Sequence, residues 1–122
     1  MPKAEVTSST TGRSAGMTLG FEFRPEALAE FDADVDWYDE REFGLGGRFA
    51  DEVRLAIKAA CDSPQAWTKW PEWDRYPTVR STGVEAFPYR VVYFVEAERL
   101  VIVAVSHSKR RPRYWQDRIG SG

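Results

Sequence analysis

The 122-residue chain is 43% hydrophobic, 14% aromatic and 30% charged, with a formal net charge of −2. That length suits one domain, and an apolar fraction near the globular average excludes wholesale disorder. The longest apolar run, Leu100–Val105, is strand-sized and far short of a bilayer span. A lone cysteine, Cys61, excludes an intrachain disulfide, and a lone histidine, His107, excludes a Cys/His zinc site.

Residues 1–18 are poor in large apolar side chains and include Thr7-Ser8-Ser9-Thr10-Thr11-Gly12. Such a segment buries too little surface to offset its ordering entropy, so a flexible tail is expected ahead of a single domain over 19–119. No apolar leader opens the sequence, which points to a cytoplasmic protein without membrane attachment. Leu19-Gly20-Phe21-Glu22-Phe23 alternates with the period of a half-buried strand. Pro25 suits the first turn of a helix, and Leu28, Phe31, Val35 and Tyr38 follow at helical spacing. The glycines of Phe43-Gly44-Leu45-Gly46-Gly47 break that helix. Phe49, Val53, Ala56, Ile57 and Ala60 define a second one, stopped by Ser63-Pro64.

Gln65–Pro77 reads as a loop, because Pro71 and Pro77 bar regular structure. Its Trp67, Trp70 and Trp73 recur every third residue; aromatics so placed either stack on bases or cover the edge of a core, and the second is the better reading. Val79–Val84, Tyr89–Val95 and Arg99–Ser106 are β-rich runs, the last two joined by the short Glu96-Ala97-Glu98. The order predicts an α+β domain: an N-terminal strand, a helical hairpin, then a three-stranded antiparallel meander, all strands forming one sheet with the hairpin on one face.

Charge is segregated along this order. Residues 22–52 hold eleven acidic and three basic side chains, whereas residues 107–118 hold five basic and one acidic. Local fields rather than the total steer partners, so a net charge near zero does not exclude a nucleic-acid-associated target. Asp32, Asp34, Asp36, Asp39, Glu40 and Glu42 are numerous enough to raise the idea of a metal site. At about 100° per residue, however, they spread around a helix and read as its solvated face. A partner's basic segment is the ligand such a face suits, and neither metal nor cofactor is expected.

The sharpest chemical feature is Ser106-His107-Ser108-Lys109-Arg110-Arg111-Pro112-Arg113-Tyr114-Trp115, at the outlet of the last strand. Basic residues interleaved with aromatics suit phosphate neutralisation and base stacking. His107 is the one side chain whose ordinary pKa lies near neutrality. Arg80 and Arg90, on the two preceding strands, are candidates to join it on one open face. The plainer alternative is that Arg90 pairs with a helix carboxylate and His107 organises a turn.

Five segments, in this order and layout, carry a family resemblance: Phe23-Arg24-Pro25-Glu26-Ala27; Trp37-Tyr38; Gly46-Gly47-Arg48-Phe49; Phe87-Pro88-Tyr89-Arg90-Val91-Val92-Tyr93; and His107 with Arg110-Arg111-Pro112-Arg113-Tyr114-Trp115. Over about residues 19–118 the chain resembles the RelE/ParE superfamily of toxins from bacterial type II toxin–antitoxin modules, also known as plasmid stabilisation proteins. The resemblance implies a growth inhibitor silenced by a cognate antitoxin protein in a toxin–antitoxin hetero-oligomer. RelE-like members cleave mRNA on the ribosome without metal, and ParE-like members inhibit DNA gyrase. For the nuclease branch it implies catalytic roles for Arg80, His107, Arg110 and Tyr114. Arg90, Lys109, Arg111, Arg113 and Trp115 are then the expected target-binding residues in either branch. The hairpin and its acidic front lean toward the gyrase-targeting side; a non-toxic binding module is the third reading.

Overall fold

The structure, a computed structural model, describes residues 18–119. The expected tail lies outside them except for Thr18, whose hydroxyl donates to Asp62 at 2.8 Å. Strand β1 (Gly20–Phe23) leads into helix α1 (Pro25–Arg41) and helix α2 (Leu45–Asp62). Four strands follow: β2 (Thr68–Lys69), β3 (Arg80–Gly83), β4 (Tyr89–Glu96) and β5 (Arg99–His107), then a 3-10 helix at Gln116–Arg118. The sheet order is β1-β5-β4-β3-β2, with β1 parallel to β5 and every other pairing antiparallel.

The sheet has one strand more than expected. Thr68 and Lys69 pair with Ser81 and Arg80 before Pro71 ends the ladder, and the Trp70 N–H extends it to the Val79 carbonyl at 2.8 Å. Two residues are too few to produce a readable strand period. The β4–β5 turn is tighter than its three expected residues: Glu96 pairs with Arg99, and Ala97 and Glu98 both take positive φ, 53° and 63°, as a two-residue hairpin turn with right-handed strand twist requires.

Helix α1 differs by one position. Ala27 and Phe31 are its buried residues, with Val35 and Tyr38 packed beside them, and Leu28 is exposed. Helix α2 buries the whole expected stripe. The two helices cross at Gly46, where an added Cβ would collide with the Val35 carbonyl and lie 2.7 Å from Asp39 Cγ. The Asp39 carboxylate instead accepts the Gly46 N–H at 2.7 Å, closing the hairpin at its turn.

Side-chain alternation gives the sheet two cores. Tyr89, Val91, Tyr93, Leu100 and Ile102 meet the helices. Val92, Phe94, Val101 and Val103 meet Val79, Trp115 and Ile119, with Trp70, Trp73 and Tyr114 at the margin. The tryptophan loop and the segment after β5 thus do for one face what the helical hairpin does for the other. Apolar strands buried on both sides need both covers.

Candidate functional site

The residues expected at the target-facing site divide between two places. Arg80 pairs with Tyr93, a residue of the helix-facing core, and its guanidinium donates to the Trp67 carbonyl at 2.8 Å. Arg90 lies on the opposite face, in register with Ser106. It donates to the Ser81 hydroxyl at 2.8 Å and the Ser81 carbonyl at 3.1 Å, rather than to a helix carboxylate. The two strand arginines therefore do not converge.

His107, Arg110 and Tyr114 are linked at the outlet of β5. His107 organises the turn that follows: its Nδ1 accepts the Lys109 N–H at 3.0 Å, and its carbonyl accepts the Arg110 N–H at 3.0 Å. Its ring stands edge-on to Tyr89, with centroids 5.0 Å apart. Arg110 is exposed and sits 3.9 Å from the centroid of the Tyr114 ring, with Arg118 at 5.2 Å. The Tyr114 hydroxyl donates to Glu30 at 3.5 Å. Burial, reinforced by the Glu30 charge, pushes the Tyr114 phenol up, away from the range in which it exchanges protons at neutral pH.

Lys109 and Arg111 are exposed, and Arg113 is partly so. Trp115 is 0% exposed and meets Trp70 edge-on at 5.0 Å and Trp73 at 5.7 Å. A side chain with no accessible surface cannot meet a target, so the expected binding role gives way to packing. Its indole N–H lacks a partner among the described residues.

Two contributors escaped the sequence reading. Arg118 donates to both oxygens of Glu30, at 2.9 and 2.6 Å, and to the Val103 carbonyl at 3.0 Å, while its own carbonyl accepts from Arg24 at 2.9 Å. This network straps the chain terminus to α1 and β5. Asp34 is the second: burial raises its pKa, partly opposed by the Tyr89 hydroxyl and by His107 and Arg110. Its partners come from β4 and β5, a tertiary arrangement that no local pattern encodes.

No group of acidic, histidine or cysteine side chains among the described residues is placed to hold a metal ion; Asp32, Asp36, Asp39 and Glu40 are exposed, whereas Asp34 is half-buried. Cys61 is buried, and that burial pushes its thiol up to about 12, which leaves it unreactive. No helix among the described residues is long and apolar enough to cross a membrane.

A helical hairpin on one face of a small mixed sheet, with a basic strand outlet, defines an α+β domain. The family model for the ParE toxin of type II toxin-antitoxin system, parDE, matches residues 21–112. The chain belongs to that toxin family. None of the curated proteins matches it. A solved structure described as the chromosomal ParDE TA system from P. aeruginosa is 16% identical, with a TM-score of 0.63 over 76% of this chain and 99% of that one. At that identity the likeness shows the fold. The family match ends before Arg113, so the strap that covers the second face lies beyond it.

Proposed function

We propose that this toxin acts by binding DNA gyrase, without nuclease chemistry, and that a cognate antitoxin protein neutralises it. The observation that carries the choice of target is the separation of Arg80 from His107, Arg110 and Tyr114. Attack by a ribose 2′-hydroxyl on its phosphate needs a base, an acid and cations around one phosphorus. Here one arginine is spent on a loop carbonyl and opposes Tyr93, four residues along β4 from the Tyr89 that opposes His107, the histidine Nδ1 is spent on a turn, and burial pushes the tyrosine phenol up. The exposed cations Lys109, Arg110 and Arg111 remain suited to binding.

The hairpin is the surface suited to the antitoxin. Trp37, Phe43 and Leu55 are exposed there, Phe43 completely, among the carboxylates of α1. Apolar anchors within an acidic field fit an amphipathic segment with basic flanks. Inducible expression in bacteria, with and without the short reading frame adjacent to this one, tests both halves. Growth arrest relieved by the adjacent frame, loss of gyrase supercoiling and intact mRNA are the expected results. Ribosome-dependent cleavage that Arg110→Ala abolishes would overturn the gyrase reading in favour of the nuclease one.

A further inference from the structure

A cleft of about 450 Å³ opens beside Trp73, at the margin of the core opposite the helices, and none of the roles above uses it. Glu72, Trp73, Asp74, Arg75, Arg113 and Gln116 line it. Its indole wall is held in place: the Trp73 Nε1–H donates to the Pro77 carbonyl at 2.9 Å, and the ring packs against the buried Trp115. The opposite lip is a turn closed by the Gln116 N–H on the Arg113 carbonyl at 2.9 Å. Glu72 and Arg113, one from each lip, both hold left-handed backbone at φ 63°.

Two guanidiniums converge on that indole, Arg75 at 4.3 Å and Arg113 at 6.0 Å from the ring centroid. Neither forms an ion pair with a carboxylate among the described residues, although Glu72 and Asp74 share the cleft. A guanidinium resting over an aromatic face keeps its in-plane N–H donors available for a bidentate acceptor. The cleft thus offers two donor forks and two carboxylates around a single indole.

The geometry points to a docking site for an extended peptide of mixed charge. An Asp or Glu side chain of the peptide is received by Arg75 and Arg113, and a Lys or Arg two positions along, on the same face of the extended chain, by Glu72 and Asp74. Charge complementarity selects this ligand over a nucleic acid: an unbroken row of phosphates gains the two arginines but meets the two carboxylates as well. A peptide with opposite charges two positions apart presents both on one face and matches both pairs. The site depends neither on gyrase nor on the hairpin, so it stands apart from the proposed target.

The test uses the full chain labelled with ¹⁵N, titrated with an acetylated, amidated hexapeptide Asp-Ala-Lys-Ala-Asp-Ala and, separately, with a six-nucleotide thymidine strand. The readouts are the Trp73 indole N–H and the Nε–H signals of Arg75 and Arg113. Saturable shifts with the peptide and none with the DNA are expected, with affinity weakened about tenfold or more in Arg75→Gln and Arg113→Gln, as for loss of a charge-assisted pair. Thermal unfolding of each variant checks that it is folded. Absence of peptide-induced shifts, shifts with the DNA alone, or undiminished peptide binding in both variants overturns the assignment.

Discussion

Glu30 and Arg118 are 88 positions apart in sequence and form a bidentate pair in the fold. Their side chains are 26% and 13% exposed, so water screens the pair only in part. Replacing Glu30 by alanine leaves the guanidinium with the Val103 carbonyl and little else, and should cost about 1–3 kcal/mol of stability. Chemical denaturation of the two proteins checks this, with Glu30→Gln expected to lose less because it keeps an acceptor. Asp34 behaves in the opposite sense. Its pKa is raised from the ordinary 3.8 in the folded protein by burial, so the native state binds a proton more readily than the unfolded chain. Stability therefore rises as pH falls through the folded pKa toward that ordinary value, and the ionised carboxylate is a burden at neutral pH. Asp34→Asn, which retains an acceptor near the Tyr89 hydroxyl, should raise the melting temperature at neutral pH. The advantage should vanish below about pH 3.8, where Asp34 is protonated in both states. Melting curves at the two pH values measure the difference directly.

At the scale of elements, the helical hairpin and the terminal strap cover opposite faces of one sheet, but only the first was legible in advance. Phe49, Val53, Ala56, Ile57 and Ala60 repeat at helical spacing over about three turns, and the apolar, β-branched runs of β4 and β5 read as strands. Leu28 misled by one position because Ala27, a small residue with a weak hydrophobic signal, faces inward in its place. The strap carries no period at all. Trp115 and Ile119 are separated by charged and polar residues, and read as a decorated basic tail until β4 and β5 show which apolar surface needs a cover. This has a measurable consequence. Trp115→Ala should cost about 3–5 kcal/mol, as expected for a large aromatic lost from a core. Trp115→Phe should cost far less, since it keeps most of the packing and removes an unpartnered buried N–H. Equal losses in the two variants, measured by denaturant unfolding, would show that the full indole, rather than an aromatic ring alone, is what the core requires. Either result makes Trp115 unsuitable as a probe of target binding, because a change in folding would pass for a change in function.

For the whole molecule, the relevant quantity is the separation of charge rather than its sum. Eleven of the nineteen acidic residues lie over 25–62, the hairpin, and five of the seventeen basic ones cluster over 107–118 after β5, the two regions adjoining where Asp34 of α1 lies near His107 and Arg110. The basic outlet was readable from residue order, because Lys109, Arg110 and Arg111 are exposed whatever the detailed fold. The division of Arg80 from Arg90 was not, since it depends on strand register: Arg80 opposes Tyr93 and Arg90 opposes Ser106, which sends them to different faces. In the gyrase reading, the two ends serve different partners and can be disabled separately. Reversing Lys109 and Arg111 to glutamate should leave stability within about 0.5 kcal/mol, as usual for surface substitutions. It should weaken inhibition of gyrase supercoiling, with the wild-type advantage shrinking as salt is raised, because exposed charges act through a screened field. The same variant should bind the antitoxin with unchanged affinity in a calorimetric titration. Reversing Asp36 and Glu40 to lysine should do the converse, weakening the antitoxin complex and sparing supercoiling inhibition. If each reversal impairs both partners equally, the antitoxin and the target share one surface, and neutralisation is direct competition for it.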